Sequence, residues 1–547
     1  MKKLILASAL LMSTTTFATD YDWHQNHLTT LQDANVFAVL WGGGNTTSVL
    51  QLSTDSKIAN PWLVEKVKKY EQTPVNLGTK AKVQDMPNYI AMGTITVADD
   101  AGYATNQLNS QKLDISFHYE GNGAGDRGHF ADEPYSGNNY SYIPEVHRMA
   151  EQARAVTTTT GHQLIAAEVF YTIDFSDGAW AISQDTEVDD NLTRHIYNLM
   201  IESQLMQKEY DNGQPMILFL NPDSVWSFQG CSLNYCPSAW KKGLALPVAT
   251  TLVAAPNLIT DFDVAIDRMV ANEHLTQEQA NIYKINIQTA IPLPSSNLRD
   301  TYGLPEIVQT YNFIVKSFAP NVPFGWGLNA YDNANPQMNP KGQYASWETS
   351  AISWIHKVNY DNNYLQDLDV YGQPTGAKIP VTTDAAIKFE SQKLAQYIQE
   401  MNFAGGADDN YKPDFIYFDI YERDPIRGDT DPSLNNGFLF NGVDWDAYLK
   451  YIKYTDQAIG NLPVALWQMP GASLQTVGNS QGPDHLGSTV PDWVFGDPTL
   501  NNDFSNIDPS LGVTGLNTKL IPSTNYFTSN LGVANAIDYL KLSAQQP

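Results

Sequence analysis

A short unit recurs about eight times along this sequence, and it limits the choice of folds more than any other feature. Each unit pairs an apolar run with a polar loop rich in Gly, Asn and Asp, and several continue into a helical pattern. The eight runs cover residues 36–41, 89–97, 113–119, 164–171, 216–220, 322–328, 414–418 and 463–467. Because apolar strands that alternate with helices are typical of a parallel sheet, we predict an α/β fold. The number of units favours a TIM-like (β/α)-barrel, regular or distorted, over a doubly wound open sheet.

Helical patterns separate several of these runs. Residues 191–209, 385–401 and 444–458 carry apolar side chains at helical spacing. Several units are about fifty residues long, far more than a minimal strand–helix unit needs, so we expect long loops at the carboxyl ends of the strands. The functional residues should therefore be found just after each run.

The amino terminus has the features of a secretory signal. Lys2 and Lys3 precede a short apolar run, and small residues occupy the cleavage-site positions up to Ala18. We expect residues 1–18 to be a signal peptide, and residues 19–547 to be one catalytic (β/α)-barrel domain with N-terminal and C-terminal extensions. The mature protein should be secreted or periplasmic. No later stretch is apolar enough to predict a membrane span.

The charge balance argues against a nucleic-acid partner. The chain has 32 Lys and Arg against 59 Asp and Glu, a net charge of −27, and it lacks a basic cluster. Its polarity comes mainly from neutral and aromatic residues, which suits an uncharged polar ligand. We expect a polysaccharide or oligosaccharide substrate, no membrane partner and a monomeric protein.

The sequence predicts neither a metal nor a cofactor. The two cysteines, Cys231 and Cys236, are close together, and in an oxidising compartment we expect a local disulfide rather than a zinc site. A Gly-x-Gly-x-x-Gly pattern at residues 123–128 is not followed by a helical pattern, which argues against a dinucleotide site. Asp429 and Asp431 fit either a turn or a structural calcium site.

Carboxylates and aromatic side chains follow the runs repeatedly. The candidate catalytic residues are Asp177, Asp419, Asp174, Asp223 and Glu422. The candidate substrate-binding residues are Trp180, Trp226, Trp326, Asn329, Arg423, Trp467 and Gln468. Carboxylates among aromatic rings suit glycoside hydrolysis, in which one carboxyl group protonates the leaving oxygen and another activates water or attacks the sugar. Each acid also has a structural interpretation as a helix cap or turn former, and each tryptophan as core packing.

Asp419 lies in the densest of these segments. If the run is a regular strand, Asp419 shares a face with Tyr417 and points into the mouth of a barrel. Arg423 is close enough in sequence to hold Asp419 or Glu422 ionised. The alternative is an arginine–carboxylate network that fixes the loop.

The order of these strand ends resembles glycoside hydrolase family 6, the inverting cellulases with a distorted barrel. The matching segments are residues 171–177, 221–224, 329–332, 419–423 and 467–471. The resemblance implies that Asp177 is the catalytic acid and that Asp174 is a neighbouring acid that tunes it. Asn221 stands where the family has a glutamate, and Met469 where it has a lysine, so the mechanism and the β-1,4-glucan specificity stay open.

Two other functions remain as alternatives. A non-catalytic carbohydrate-binding or surface-interaction protein would keep the aromatic residues and lose the acid pair. A serine esterase is suggested by Gly-x-Ser-x-Gly around Ser480 with His485 nearby, but the expected strand and helix are missing from the pattern. The function predicted from the sequence is a secreted glycoside hydrolase that acts on a neutral polysaccharide.

Overall fold

The structure is a computed structural model that describes part of the chain in detail. The described residues are 31–42, 82–88, 90–95, 113–121, 130–131, 142–171, 191–220, 255–291, 302–329, 364–368, 374–380, 383–405, 409–419, 426–427, 438–439 and 442–470.

These residues form twelve strands. In chain order they are β1 (Val36–Gly42), β2 (Ala91–Ile95), β3 (Ile115–Gly121), β4 (Ile165–Tyr171), β5 (Met216–Leu220), β6 (Phe324–Asn329), β7 (Tyr364–Leu368), β8 (Pro374–Pro380), β9 (Phe415–Asp419), β10 (Ile426–Arg427), β11 (Phe438–Leu439) and β12 (Val464–Pro470).

The same residues form seven α-helices. They are α1 (Tyr142–Thr160), α2 (Asn191–Asp211), α3 (Leu258–Ala271), α4 (Gln277–Ala290), α5 (Leu304–Phe318), α6 (Thr383–Glu400) and α7 (Gly442–Ile459). None of the helices among the described residues is both long and apolar enough to cross a membrane.

Eight of the strands close into a barrel. Its order is β1, β2, β3, β4, β5, β6, β9 and β12, and β12 pairs back with β1. All of the barrel pairings are parallel. The other four strands make two antiparallel ribbons, β7 with β8 and β10 with β11. The prediction of an α/β barrel is confirmed, and closure through β1 and β12 excludes the open sheet.

The eight predicted runs are the eight barrel strands. Their ends differ from the prediction by up to three residues; the run at 216–220 is exact, while β12 continues to Pro470. The predicted helices at 191–209, 385–401 and 444–458 are α2, α6 and α7. Described helices lie in the connections that join β3 through β6, β6 to β9, and β9 to β12. The predicted long loops fall largely on residues outside the described part.

Large apolar side chains fill the barrel. Trp326 and Trp467 are among the fully buried side chains, and one apolar cluster joins the barrel strands to the helices around them. Gly325 makes room for an aromatic ring, because a β-carbon added there would lie 2.4 Å from the ring of Phe415. Removing this much apolar surface from water is the main force that holds strands and helices together.

Local signals fix where the helices begin. At α4, Thr276 accepts a hydrogen bond from the backbone N–H of Gln279, and the Gln279 side chain accepts one from the N–H of Thr276 at 2.9 Å. At α5, the backbone N–H of Gly303 donates to Glu306 at 2.7 Å, and Pro305 lies in the first turn. These caps satisfy backbone donors that the first helical turn leaves without partners.

Candidate active site at the carboxyl ends of the strands

Aromatic rings fill the interior below the carboxyl ends of the strands. Trp467 on β12 lies with its ring centroid 4.5 Å from that of Phe117 on β3, 5.2 Å from Phe219 on β5 and 5.6 Å from Tyr417 on β9. The Tyr417 hydroxyl donates to the carbonyl oxygen of Leu220 at 2.8 Å, which ties β9 to β5 across the barrel. These contacts from separate strands show that the four rings point inwards.

The strand register aligns three predicted site residues on neighbouring strands. Asn329, the last residue of β6, pairs with Asp419, the last residue of β9. Asp419 in turn pairs with Trp467 on β12. An asparagine, an aspartate and a tryptophan therefore lie at the same level of three neighbouring strands, and this level is the carboxyl end of β6 and β9.

The two buried tryptophans on these strands have different surroundings. Trp467 is inside the barrel and fully buried, so it forms part of the floor beneath the strand ends. Trp326 is outside the barrel, because its indole nitrogen donates to Asn312 on α5 at 2.7 Å and its ring stacks on Tyr311 at 6.1 Å. Trp326 therefore packs between β6 and α5, and we do not include it among the sugar-binding residues proposed below.

Many of the predicted site residues lie outside the described residues. They are Asp174, Asp177, Trp180, Asp223, Trp226, Cys231, Cys236, Glu422 and Arg423. For Gln468, the structure gives its place in β12, one residue after Trp467. The roles of these residues, and the disulfide, stay predictions.

The amino end of the barrel has polar residues with partners. Asp414, just before β9, accepts hydrogen bonds at 2.7 Å from Lys316 Nζ on both carboxylate oxygens and at 3.0 Å from the N–H of Phe324. Asp114, just before β3, lies 2.8 Å from His162 Nε2. These pairs join neighbouring strands and helices, as expected at the end of a barrel that serves stability.

Asp456 on α7 belongs to the same end. It accepts a hydrogen bond from Asn35 Nδ2 at 2.6 Å, and Asn35 directly precedes β1. Burial raises the pKa of Asp456 to about 7, although the hydrogen bonds from Asn35 and from the backbone of Leu462 oppose this rise.

A group of buried ionisable residues between the barrel and its helices was not predicted. Glu168 on β4 and Glu202 on α2 are both fully buried. Burial and the negative charges of Glu202 and Glu145 raise the pKa of Glu168 well above its usual value, and burial raises that of Glu202 to about 8. One signal was present in the sequence, since Glu168 interrupts an otherwise apolar run of eight residues.

Two buried histidines lie in the same layer. Burial lowers the pKa of His118 to about 4, and burial together with the charge of Arg194 lowers that of His195 to about 3. Both rings are therefore neutral near pH 7. Within the described part of the chain, no three His, Cys, Asp or Glu side chains are placed to bind a metal ion.

Comparison with known proteins finds no matching protein family, no matching curated protein and no matching solved structure. The function is therefore argued below from the barrel and from the residues at its carboxyl end.

Proposed function

We propose that this protein is a secreted glycoside hydrolase that cleaves a neutral polysaccharide by carboxylate acid–base catalysis. One observation carries the proposal: the register pairs Asn329 with Asp419, the last residues of two neighbouring barrel strands, and pairs Asp419 with Trp467 on the next strand, β12. Barrel enzymes have their active sites at this end. An aspartate in register with an asparagine, near a layer of buried aromatic rings, suits an uncharged sugar, because sugars offer hydroxyl groups and apolar ring faces.

Asp419 is the proposed catalytic carboxylate among the described residues. Tyr417 faces the barrel interior, and residues two apart in a regular strand share a face, so the proposal puts Asp419 at the barrel mouth. The proposed second carboxyl group is Asp177, which follows β4 in the sequence. One group would protonate the leaving oxygen while the other activates water or attacks the anomeric carbon.

The remaining candidates take supporting roles in the proposal. Asp174 would adjust the pKa of the catalytic acid. Asp223 and Glu422 would be further carboxylates at the mouth of the barrel. Trp180 and Trp226 are proposed to stack on sugar rings, while Asn329, Arg423 and Gln468 would bind hydroxyl groups. Trp467 supports the site from below.

Reducing-sugar release from a panel of glucan, xylan, mannan and chitin tests this proposal. Wild-type protein should release reducing sugar from at least one polymer, and the Asp419→Asn and Asp177→Asn variants should lose that activity while keeping the wild-type circular dichroism spectrum. Full activity in both variants would overturn the assignment of these carboxylates. Binding of a polymer without release by wild-type protein would favour the non-catalytic alternative.

A further inference from the structure

Two glutamates without hydrogen-bond donors lie between the barrel and its helices. Glu168 on β4 and Glu202 on α2 are fully buried. None of their four carboxyl oxygens has a hydrogen-bond partner among the described residues. An ionised carboxylate in such a place is very costly, because no donor replaces the water that burial removes.

Among the described residues, the neighbouring strands and α1 place no positive charge against Glu168. In the strand register, its neighbours are His118 on β3 and Leu218 on β5. His118 is neutral above about pH 5, because burial lowers its pKa to about 4. From α1, Glu145 adds a second negative charge near Glu168.

Other charged groups on the elements packed against α2 have partners among the described residues: Arg268 on α3 lies 3.6 Å from the ring centroid of Phe130 and 5.1 Å from that of Tyr197. Glu145 forms an ion pair of 2.6 Å with Arg148, one turn further along α1. On α2, His195 is neutral at pH 7, since burial and the charge of Arg194 lower its pKa to about 3. We therefore expect at least one of the two carboxyl groups, of Glu168 or Glu202, to stay protonated, which lowers the negative charge of the pair.

We propose that Glu168 and Glu202 form a proton-dependent latch between β4 and α2, closed while the pair is protonated and opened when mildly alkaline pH removes the proton. The latch does not depend on the glycosidase proposal, because it uses only the packing of α2 on the barrel. Each lost proton leaves a carboxylate without a donor in the interface, so the interface loosens.

The direction of the pH effect follows from linkage. The pKa of Glu202 is about 8 in the folded protein against an ordinary value of 4.5, and the pKa of Glu168 is raised as well. Between these pKa values the folded state therefore binds more protons than the unfolded state, and stability falls as the pH rises from about 4.5 through 8. The interval from pH 7 to pH 9 is the most specific for the glutamate pair. The pKa of Asp456 is raised to about 7, so the stability change caused by Asp456 falls mainly below this interval.

Glu209 offers a matched control on the same helix. It lies seven residues after Glu202, two helical turns further along α2. Unlike Glu202, it has partners: Arg154 Nη1 donates to it at 2.7 Å and His147 Nδ1 lies 2.8 Å away. These contacts with Arg154 and His147 outweigh the effect of burial and lower the pKa of Glu209.

Thermal unfolding of the full-length protein at pH 7 and pH 9 tests the latch. The wild-type Tm should fall by about 1 °C over this interval, and Glu202→Gln should reduce the fall to less than a third, because glutamine resembles the protonated acid. Glu209→Gln should have a lower Tm at both pH values and keep the wild-type fall. An equal fall in Glu202→Gln and wild type would overturn the proposal.

Hydrogen–deuterium exchange of the wild-type protein decides the question if Glu202→Gln does not fold. After correction for the intrinsic effect of pH on exchange, β4 and α2 should lose protection between pH 7 and pH 9. The more distant helix α4 should keep its protection. Unchanged protection in α2, or an equal loss in α2 and α4, would contradict the latch.

Discussion

Two aspartates lie at opposite ends of β9: Asp414 directly precedes the strand and Asp419 is its last residue. Asp414, before the strand, accepts hydrogen bonds from Lys316 and from the backbone of Phe324. Asp419, the last residue of the strand, lies in register with Asn329 at the end of the neighbouring strand. Asp414 therefore joins structural elements at the amino end of the barrel, whereas Asp419 lies at the carboxyl end, where we propose that the chemistry takes place.

The largest expected effect is on activity. On a polysaccharide that the wild-type protein hydrolyses, Asp419→Asn should lower kcat by about 1,000-fold, because the amide can neither accept nor donate the catalytic proton. Initial rates of reducing-sugar release measure this loss.

Asp414→Asn is the matched control, at the residue that directly precedes the same strand. It removes a charge from the opposite end of the barrel, so its kcat per folded molecule should stay within about twofold of wild type. If Asp414→Asn lost as much activity as Asp419→Asn, the separation of the two ends would fail.

The next effect concerns the packing between the two ends. Gly325→Ala should lower the free energy of unfolding by about 3 kcal/mol, because the new β-carbon would lie 2.4 Å from the Phe415 ring and 2.6 Å from the Phe415 carbonyl oxygen. Urea unfolding measures the change.

Gly161→Ala is the control for Gly325→Ala. At Gly161 the φ angle is +69°, but no atom lies within 4 Å of an added β-carbon. This substitution should cost about 1 kcal/mol through backbone strain alone. Equal losses in the two variants would show that Gly325 is not required for the packing of Phe415.

A further effect on stability depends on pH and concerns Asp456, at the amino end of the barrel. Asp456 has a folded pKa of about 7 against an ordinary 3.8, so its contribution to wild-type stability is lost as the pH rises from about 4 through 7. Asp456→Asn removes this titration. Relative to wild type, the variant should therefore gain about 4 kcal/mol between pH 4 and pH 8. A stability difference that stays constant with pH would contradict the raised pKa.

The barrel was predictable from the sequence because its strands are apolar runs bounded by polar loops. The run at 216–220 shows this most clearly, since all five side chains are buried and the predicted ends are exact. The hairpin of β7 and β8 was not predicted, because Gln366 and Lys378 give its strands a polar pattern. The caps at Thr276 and Gly303 were also present as sequence signals but were not used.

The site was predictable in part. The position of Asp419 at a strand end followed from the preceding apolar residues, and its alignment with Asn329 required the register. Trp326 shows the limit of the sequence argument. Side chains along a strand point alternately into and out of the barrel, and in a strand that is apolar on both faces the sequence does not show which side an aromatic residue takes. The contact of Trp326 with Asn312 gives the outward direction, which only tertiary packing fixes.

Thermal unfolding of Asp414→Asn and Asp419→Asn, measured together at pH 7, tests the separation of the two barrel ends most directly. Asp414→Asn should lower the free energy of unfolding by about 2 kcal/mol, because it weakens charged hydrogen bonds to Lys316 and Phe324. Asp419→Asn should leave stability within about 0.5 kcal/mol of wild type, or raise it, as is common when a residue serves function. A loss in Asp419→Asn as large as that in Asp414→Asn would contradict the account and make Asp419 a structural residue.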